Sequence, residues 1–502
     1  MTNNLYACFR SRFPADENKP FILQANGRAL TYADLEQQTA QMAGTLLSLG
    51  ISKADRVAVQ VEKTPEAVIL YLACLRIGAI YLPLNTAYTS DELGYFIGDA
   101  TPGLLVCAPA KAEQLAPIAS IHNVAHLLTL DGTGSGSLMS HYHSVAPETG
   151  IADVSKDDVA AILYTSGTTG RSKGAMLTHE NLASNAAVLH SYWGWNAQDT
   201  LLHALPIFHV HGLFVAIHCV LMNGSAMWFL PKFDVREVMD LLPHSTVLMG
   251  VPTFYTRLLE QDDFTRTSCA NMRLFISGSA PLLEDTFTRF RQRTGMTILE
   301  RYGMTEAGMI TSNPLEGERV AGTVGYPLPG VSARLARTTA PGETGVLEIK
   351  GPNVFKGYWN MPEKTAEEFT DDGYFITGDI ACLADDQRIS IVGRAKDLII
   401  SGGYNVYPKE IELIIDAVEG VRESAVIAAP HPDLGEAVVA VVVPHDGYIL
   451  TEQTVLDSLE GQLARFKQPK KVLFYKDLPR NTMGKVQKAL LRKECSLLFP
   501  KS

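Results

Sequence analysis

The chain has 502 residues, 46% of them hydrophobic and 19% charged, with 40 glycines. That is the composition of a soluble globular protein with large cores and many tight turns, long enough for two to four domains, and it excludes a disordered or fibrous chain. With 43 basic against 54 acidic residues the formal charge is −11, which argues against a general nucleic-acid or anionic-membrane surface, so any anion must be met by local basic groups.

Taken from the start, Met1–Arg12 lacks the charged-then-apolar order of a secretory leader, and no apolar run reaches the length needed to span a bilayer. The seven cysteines show no CxxC pair, which speaks against a disulfide framework or a zinc knuckle and predicts a cytoplasmic protein. Between about residues 20 and 130, strand and helix patterns alternate: Phe21–Leu23, Tyr32–Leu49, Val57–Val61, Pro65–Ile77 and Val106. This βαβα rhythm predicts helices packed on a largely parallel sheet. The Gly/Ser-rich stretch Asp131–Ser137 reads as a flexible connection.

A second series begins at Val159, with buried strands expected at Leu201–Pro206, Ala226–Leu230, Thr246–Gly250 and Arg273–Ser277. Helices are expected at Pro252–Gln261 and Pro281–Thr294, each opening on proline and the second closing before Gly295. Past residue 320 the pattern turns β-rich, with Gly345–Gly351, Gly373–Asp379 and Ile389–Val392 as strands. From a hinge placed at Lys396, the rest suits a separate α+β domain, with helices at Pro408–Val418, Glu452–Phe466 and near Lys488, and strands at Glu423–Ala429 and Ala437–Val443. The expected architecture is therefore α/β. An N-terminal domain over residues 1–395 has parallel-type sheets flanked by helices and a β-rich subdomain, and a small mobile C-terminal domain covers residues 396–502.

The segment Tyr164-Thr-Ser-Gly-Thr-Thr-Gly-Arg-Ser-Lys-Gly174 follows an apolar strand and carries the clearest chemistry. Its glycines let backbone N–H groups approach phosphate oxygens, the hydroxyls of Thr165, Ser166, Thr168 and Thr169 add donors, and Lys173 supplies a mobile charge. It is not a Walker loop, because GxxxxGK[ST] does not match Gly167–Gly174. Phosphate binding is expected of it, with an ordinary surface turn as the alternative.

That loop, Tyr302-Gly-Met-Thr-Glu306, Thr377-Gly-Asp379, Gly393-Arg-Ala-Lys-Asp397, Ser401–Glu410 and Pro479–Lys485 occur in the order found in the adenylate-forming superfamily of acyl-CoA synthetases, adenylation domains and luciferases. The chain resembles that superfamily over nearly its whole length. The resemblance implies ATP and CoA as co-substrates, Mg²⁺ as cofactor, and an active site between a large and a small mobile domain. Thr165, Ser166, Gly167, Thr168, Thr169, Gly170 and Lys173 would grip phosphate. Tyr302 has a flat face that suits adenine, and Thr305 and Glu306 suit phosphate and a hard cation. A buried structural carboxylate is the other reading of Glu306. By resemblance, Asp379 meets the ribose hydroxyls and Arg394 the ribose and phosphate. Lys485 reaches the bridging oxygens during adenylate formation, and rotation at Lys396 replaces it with Ser401, Gly402 and Gly403 beside the CoA thiol. A tight turn explains the two glycines equally well. A catalytic lysine of this kind, read as exposed and mobile, is also a candidate for a lysine acetyltransferase.

Phe208-His-Val-His-Gly212 has a metal-like spacing, but no Cys, Asp or Glu completes a set nearby. In the superfamily this segment borders the acid channel, which places His209 and His211 on its wall. Arg257 and Arg301 stand in otherwise apolar or small-residue surroundings, where a guanidinium is costly unless it meets an anion. A second carboxylate on the substrate would supply that anion; pairing with Glu300 or Glu306 is the alternative. Leu205–Phe214, Met249–Arg257, Ile276-Ser-Gly-Ser-Ala-Pro281 and Glu300–Glu306 are similar to bacterial malonyl-CoA synthetases. This implies malonate as the acid, held by Gly278, Ser279, Arg257, Arg301 and Met304. The segment Ala307–Asn313 departs from a more polar version in that group, which leaves malonate and methylmalonate both open. A short-chain or aryl acid:CoA ligase and, more remotely, a luciferase-like oxygenase are the competing expectations.

Overall fold

The structure is a computed structural model that describes residues 3–165, 172–336, 342–402, 404–460, 462–481 and 484–499. Two large sheets organise the first part of the chain. One runs in the order Gly357–Tyr358, Lys173–Thr178, Val159–Thr165, Ile80–Pro83, Arg56–Gln60, Leu104–Cys107, His126–Thr129. Its five strands from Val159–Thr165 to His126–Thr129 are parallel, and the two at the other edge are antiparallel. Strands such as Arg56–Gln60 are buried on both faces, which is why they read as unbroken apolar runs and not as alternation.

The second sheet has nine strands in the order Tyr326–Pro327, Gly308–Ser312, Ile298–Met304, Leu274–Ser277, Val247–Gly250, Thr200–His203, Ala226–Phe229, Pro20–Leu23, Ala29–Thr31. The six from Ile298–Met304 to Pro20–Leu23 are parallel. Between the outer helices lies Pro65–Ile77, whose thirteen residues are all buried. Thr64 caps its start by accepting from the Ala67 N–H, Pro65 fits the first turn, and Gly78 closes it in the left-handed region at φ 73°.

In both sheets the strand order reverses around one strand. After Arg56–Gln60 the chain adds Ile80–Pro83 on one side and Leu104–Cys107 on the other. After Thr200–His203 it adds Ala226–Phe229 on one side and Val247–Gly250 on the other. Crevices form beyond the carboxyl ends of strands at such reversals, because the following loops diverge there. The loops after His203, Gly250 and Ser277 supply most of the site described below.

A four-stranded antiparallel sheet, Ser332–Leu335, Thr344–Lys350, Phe375–Leu383 and Ile389–Arg394, follows. The single turn Ala395–Asp397 joins it to a C-terminal sheet of five strands: Tyr404–Val406, Ile399–Ser401, Gly435–Pro444, Val421–His431 and Lys471–Phe474. This sheet has its own apolar clusters on its two faces, one under helices Pro408–Asp416 and Glu452–Leu459, the other under Lys488–Glu494. No helix among the described residues is long and apolar enough to cross a membrane.

Several expected boundaries move. The helix expected from Pro281 starts at Glu284, because the N–H of Leu282 is taken by the Glu300 carboxylate and the preceding residues are held extended. The helix expected to reach Phe466 stops at Leu459, where Glu460 turns extended. Asp131–Ser137 is an ordered turn: one carboxylate oxygen of Asp131 accepts from the N–H groups of Thr133 and Ser135 and from the Thr133 hydroxyl. A buried π-helical stretch, His211–Ile217, was not expected at all.

Candidate active site

The residues expected to bind nucleotide and acid converge on the mouths of the two parallel sheets. Arg301 lies on strand Ile298–Met304 and is 3% exposed. Its Nε and Nη2 have no hydrogen-bond partner, and it forms no ion pair among the described residues. Burial pulls its pKa down to about 10. Gly278 makes the space for it: a Cβ there would stand 2.4 Å from both Cζ and Nη1 of Arg301. Glu300, next along the strand, does not pair with it. Its Oε1 instead accepts from the Leu282 N–H at 3.1 Å, and burial pushes its pKa up to about 8.

Ser279 follows with φ at 72°, a left-handed conformation that a serine adopts only under constraint. Its hydroxyl is 3.2 Å from Nδ1 of the buried His211, whose Nε2 has no partner. The His211 N–H reaches Nδ1 of His209 at 3.3 Å. Burial, then the charges of Lys485 and Arg301, drive the His209 pKa down to about 3, so it is neutral at any working pH. Ser279, His211, His209 and Arg301 thus lie together, and Arg301 brings them a buried cation whose Nε and Nη2 have no partner.

Arg257 requires a correction. It lies on helix Pro252–Leu259 but is exposed, so the argument from a costly buried guanidinium applies to Arg301 alone. The buried face of that helix is filled by Phe254, Tyr255, Leu258 and Leu259, which leaves Arg257 on the outer side.

On the nucleotide side, the Tyr302 hydroxyl donates to Oδ2 of Asp379 at 2.5 Å, and Nε of Arg394 bridges Oδ1 of the same carboxylate at 3.0 Å. Burial and the Asp379 charge raise the Tyr302 pKa well above its ordinary value, so it stays protonated. Met304 lies beside it, its sulfur 4.0 Å from the Tyr302 hydroxyl. Glu306 is buried, and its Oε1 accepts from the Tyr358 hydroxyl at 3.2 Å, with the Thr165 hydroxyl at 3.5 Å. Desolvation raises the Glu306 pKa, against the pull of Tyr358, Lys173 and Arg394. Thr305 is half-buried in the turn just before it.

Lys173 is not the mobile charge expected. It is buried, ion-paired to Oε1 of Glu368 at 3.0 Å, and sits 4.1 Å from the centre of the Tyr358 ring. Glu368 and Tyr358 therefore belong to the site although no motif marked them; they are distant in sequence and only the fold brings them to Lys173. Ser166, Gly167, Thr168, Thr169 and Gly170 lie outside the described residues, as does Gly403.

Lys485 comes from the C-terminal part of the chain, on a tight turn. The Gly484 N–H donates to the Asn481 carbonyl at 2.9 Å, and the Lys485 N–H to the Asn481 side chain at 3.0 Å. A Cβ on Gly484 would lie 3.5 Å from the Thr253 hydroxyl, so the turn rests on the first turn of helix Pro252–Leu259. Lys485 is half-buried, not exposed. Desolvation first, then Arg394 and Arg301, lower its pKa to about 8, with Asp379 and Glu306 opposing. Ser401 and Gly402 stay on the C-terminal hairpin, where the Gly402 N–H donates to the Leu434 carbonyl.

Thr165 at its strand end thus meets Glu306, and the charges of Glu306 and Asp379 act on Lys485. Residues 9–359 match the AMP-binding enzyme family, and residues 410–485 its C-terminal domain. The chain belongs to the AMP-binding enzyme family. Among family members, the mitochondrial malonate–CoA ligase ACSF3 of Mus musculus is 35% identical over 94% of this chain and 87% of its own length. A feruloyl-CoA synthase of an Amycolatopsis species is also 35% identical, over 93% of this chain and 94% of its own. The crystal structure of ATP-bound MatB from Rhodopseudomonas palustris superposes with a TM-score of 0.97 at 53% identity, covering 99% of this chain and 100% of that one. The apo crystal structure of the same MatB gives 0.85 at the same identity and coverage. This chain thus superposes more closely on the ATP-bound form than on the apo form.

Proposed function

We propose that this chain is an ATP-dependent malonate:CoA ligase that forms malonyl-CoA, AMP and pyrophosphate through a malonyl-adenylate. The observation that carries the reading is Arg301: a buried guanidinium with free donors, given room by Gly278 and facing Ser279, His209 and His211. A monocarboxylic fatty or aryl acid leaves that cation uncompensated, whereas a second carboxylate accepts from it in bidentate fashion. The name of the mouse relative agrees with this acid; that of the Amycolatopsis synthase keeps an aryl acid as the runner-up.

In the first half-reaction one malonate carboxylate attacks the α-phosphorus of ATP and pyrophosphate leaves. Arg301 and Ser279 hold the distal carboxylate, with Arg257 beside the pocket mouth, and neutral His209 and His211 line the wall without adding charge. Lys485 and the loop at Thr165–Lys173 stabilise the departing pyrophosphate, Asp379 and Arg394 hold the ribose, and Tyr302 packs on the base. No enzyme nucleophile is needed, since positioning and charge stabilisation supply the acceleration. Glu306 fits Mg²⁺, because such sites take one or two carboxylates and complete the shell with phosphate and water. When bound, the ion neutralises charge on the phosphates.

In the second half-reaction a rotation at Lys396, between domains 1–395 and 396–502, withdraws Lys485 and brings Ser401, Gly402 and Gly403 to the cleft. The CoA thiol then displaces AMP. Withdrawal would also expose Lys485 to a lysine acetyltransferase, which mass spectrometry of the native protein tests. A cytoplasmic location completes the reading. The deciding experiment is CoA-dependent AMP release across malonate, methylmalonate, acetate, hexanoate and ferulate. Release confined to malonate, with or without methylmalonate, is expected; equal rates on hexanoate or ferulate overturn the dicarboxylate assignment.

A further inference from the structure

One titratable pair behind the acid pocket has no part in the chemistry described so far. Lys63 lies in the short loop between strand Arg56–Gln60 and helix Pro65–Ile77, at the reversal point of the first sheet. His203 ends strand Thr200–His203, at the reversal point of the second. The Lys63 amine lies 2.8 Å from Nδ1 of His203 and donates to the His203 carbonyl at 2.8 Å, and it stands 4.4 Å from the centre of the Phe229 ring. No carboxylate ion-pairs with it among the described residues; burial pushes its pKa well below the ordinary lysine value, with the Glu237 charge opposing.

This contact dictates the state of the ring. The Gly212 carbonyl, 2.8 Å from Nε2, can only accept, so the one proton of neutral His203 is on Nε2 and Nδ1 accepts from Lys63. Burial and the Lys63 charge both hold His203 neutral. Gly212 is clamped from its other side as well, since a Cβ there would lie 2.0 Å from the Pro206 carbonyl oxygen. The residue before it is His211, which meets Ser279 in the acid pocket. The opposite tautomer would turn a lone pair towards the Gly212 carbonyl and push the π-helical turn His211–Ile217 away.

We propose that Lys63 is a positioning residue for acid binding: acting through His203, it fixes the turn that carries His209 and His211 into the pocket. It touches neither substrate nor reacting atoms. The pair also bridges the two sheets at their reversal points, so the geometry of the acid pocket depends on how the sheets seat against each other. This inference rests on the acid-activating function proposed above.

The test uses the full chain and Lys63→Met, read in two ways. Ring ¹⁵N chemical shifts, with His203 assigned by its loss in His203→Gln, are expected to show protonated Nε2 and bare Nδ1 in the wild type and mixed tautomers in Lys63→Met. In steady-state kinetics the KM for malonate is expected to rise about tenfold while the KM for ATP stays within about twofold. His203→Gln keeps a donor for Gly212, so adding Lys63→Met to it should raise the malonate KM no further. An unchanged tautomer, a malonate KM within about twofold of wild type, or an equal rise in both KM values overturns the proposal. If Lys63→Met does not accumulate folded, His203→Asn, which lacks the Nε2 donor, replaces it and must show the same selective rise in malonate KM. A wild type inactive on malonate overturns the assigned acid instead, while the tautomer measurement still decides the role of Lys63.

Discussion

Replacing Arg301 by methionine separates a cation kept for substrate from one kept for the fold. Methionine preserves much of the side-chain volume and removes the charge. Burial lowers the Arg301 pKa to about 10, and a displacement of that size from the ordinary arginine range corresponds to roughly 3 kcal/mol of unfavourable charge burial. The guanidinium is charged at neutral pH both folded and unfolded, so the folded protein without substrate carries that penalty. Among the described residues no ion pair, and no hydrogen bond from Nε or Nη2, offsets it. Arg301→Met should therefore raise the melting temperature of the free protein by a few degrees, which differential scanning fluorimetry reads. The same substitution should lower kcat/KM for malonate by roughly 30- to 5,000-fold, since losing one member of a desolvated charge pair costs about 2–5 kcal/mol. Any slow activity on acetate should be unchanged or rise. A lower melting temperature, or equal losses on malonate and acetate, would refute the reasoning and make Arg301 a structural residue.

Gly278→Ala tests the same pocket sterically: its Cβ would stand 2.4 Å from the Arg301 guanidinium, so the KM for malonate should rise at least about tenfold with pyrophosphate release kinetics showing ATP binding intact. Lys485→Ala should slow malonate-dependent ATP–pyrophosphate exchange by roughly 10²–10³-fold, while conversion of presynthesised malonyl-adenylate with CoA continues. For pH, the charged form of Lys485 is the active one and its pKa is lowered to about 8, so kcat/KM for ATP in the exchange assay should hold below pH 8 and fall above it. Lys485→Arg should extend that plateau by more than one pH unit, at a lower rate. Glu306→Gln should raise the Mg²⁺ concentration needed for half-maximal exchange several-fold without shifting the malonate KM; parallel shifts in both would show that the carboxyl serves the fold instead.

The parallel strands and their helices could be read from sequence because burial on both faces writes itself as continuous apolar runs, and Thr64, Pro65 and Gly78 mark one helix at both ends. Motif order likewise brought together Tyr302, Asp379 and Arg394, which meet within 3.0 Å. What escaped was whatever depends on which face of an element a side chain takes. Arg257 and Arg301 were indistinguishable as arginines in apolar company, yet a helix can turn its arginine outward while an inner strand of a nine-stranded sheet cannot. Lys173 looked free because its partner, Glu368, lies on a distant segment that no local pattern connects to it. The π-helical stretch after His209 escaped for a related reason: its residues after His211 are uniformly apolar, so no period shows, and the Pro206 carbonyl and the His203 hydrogen bond hold the backbone of Gly212. The proposed acid thus rests less on the motifs than on orientation. Arg301 would select an anion because the sheet buries it and Glu300 is already engaged by the Leu282 N–H.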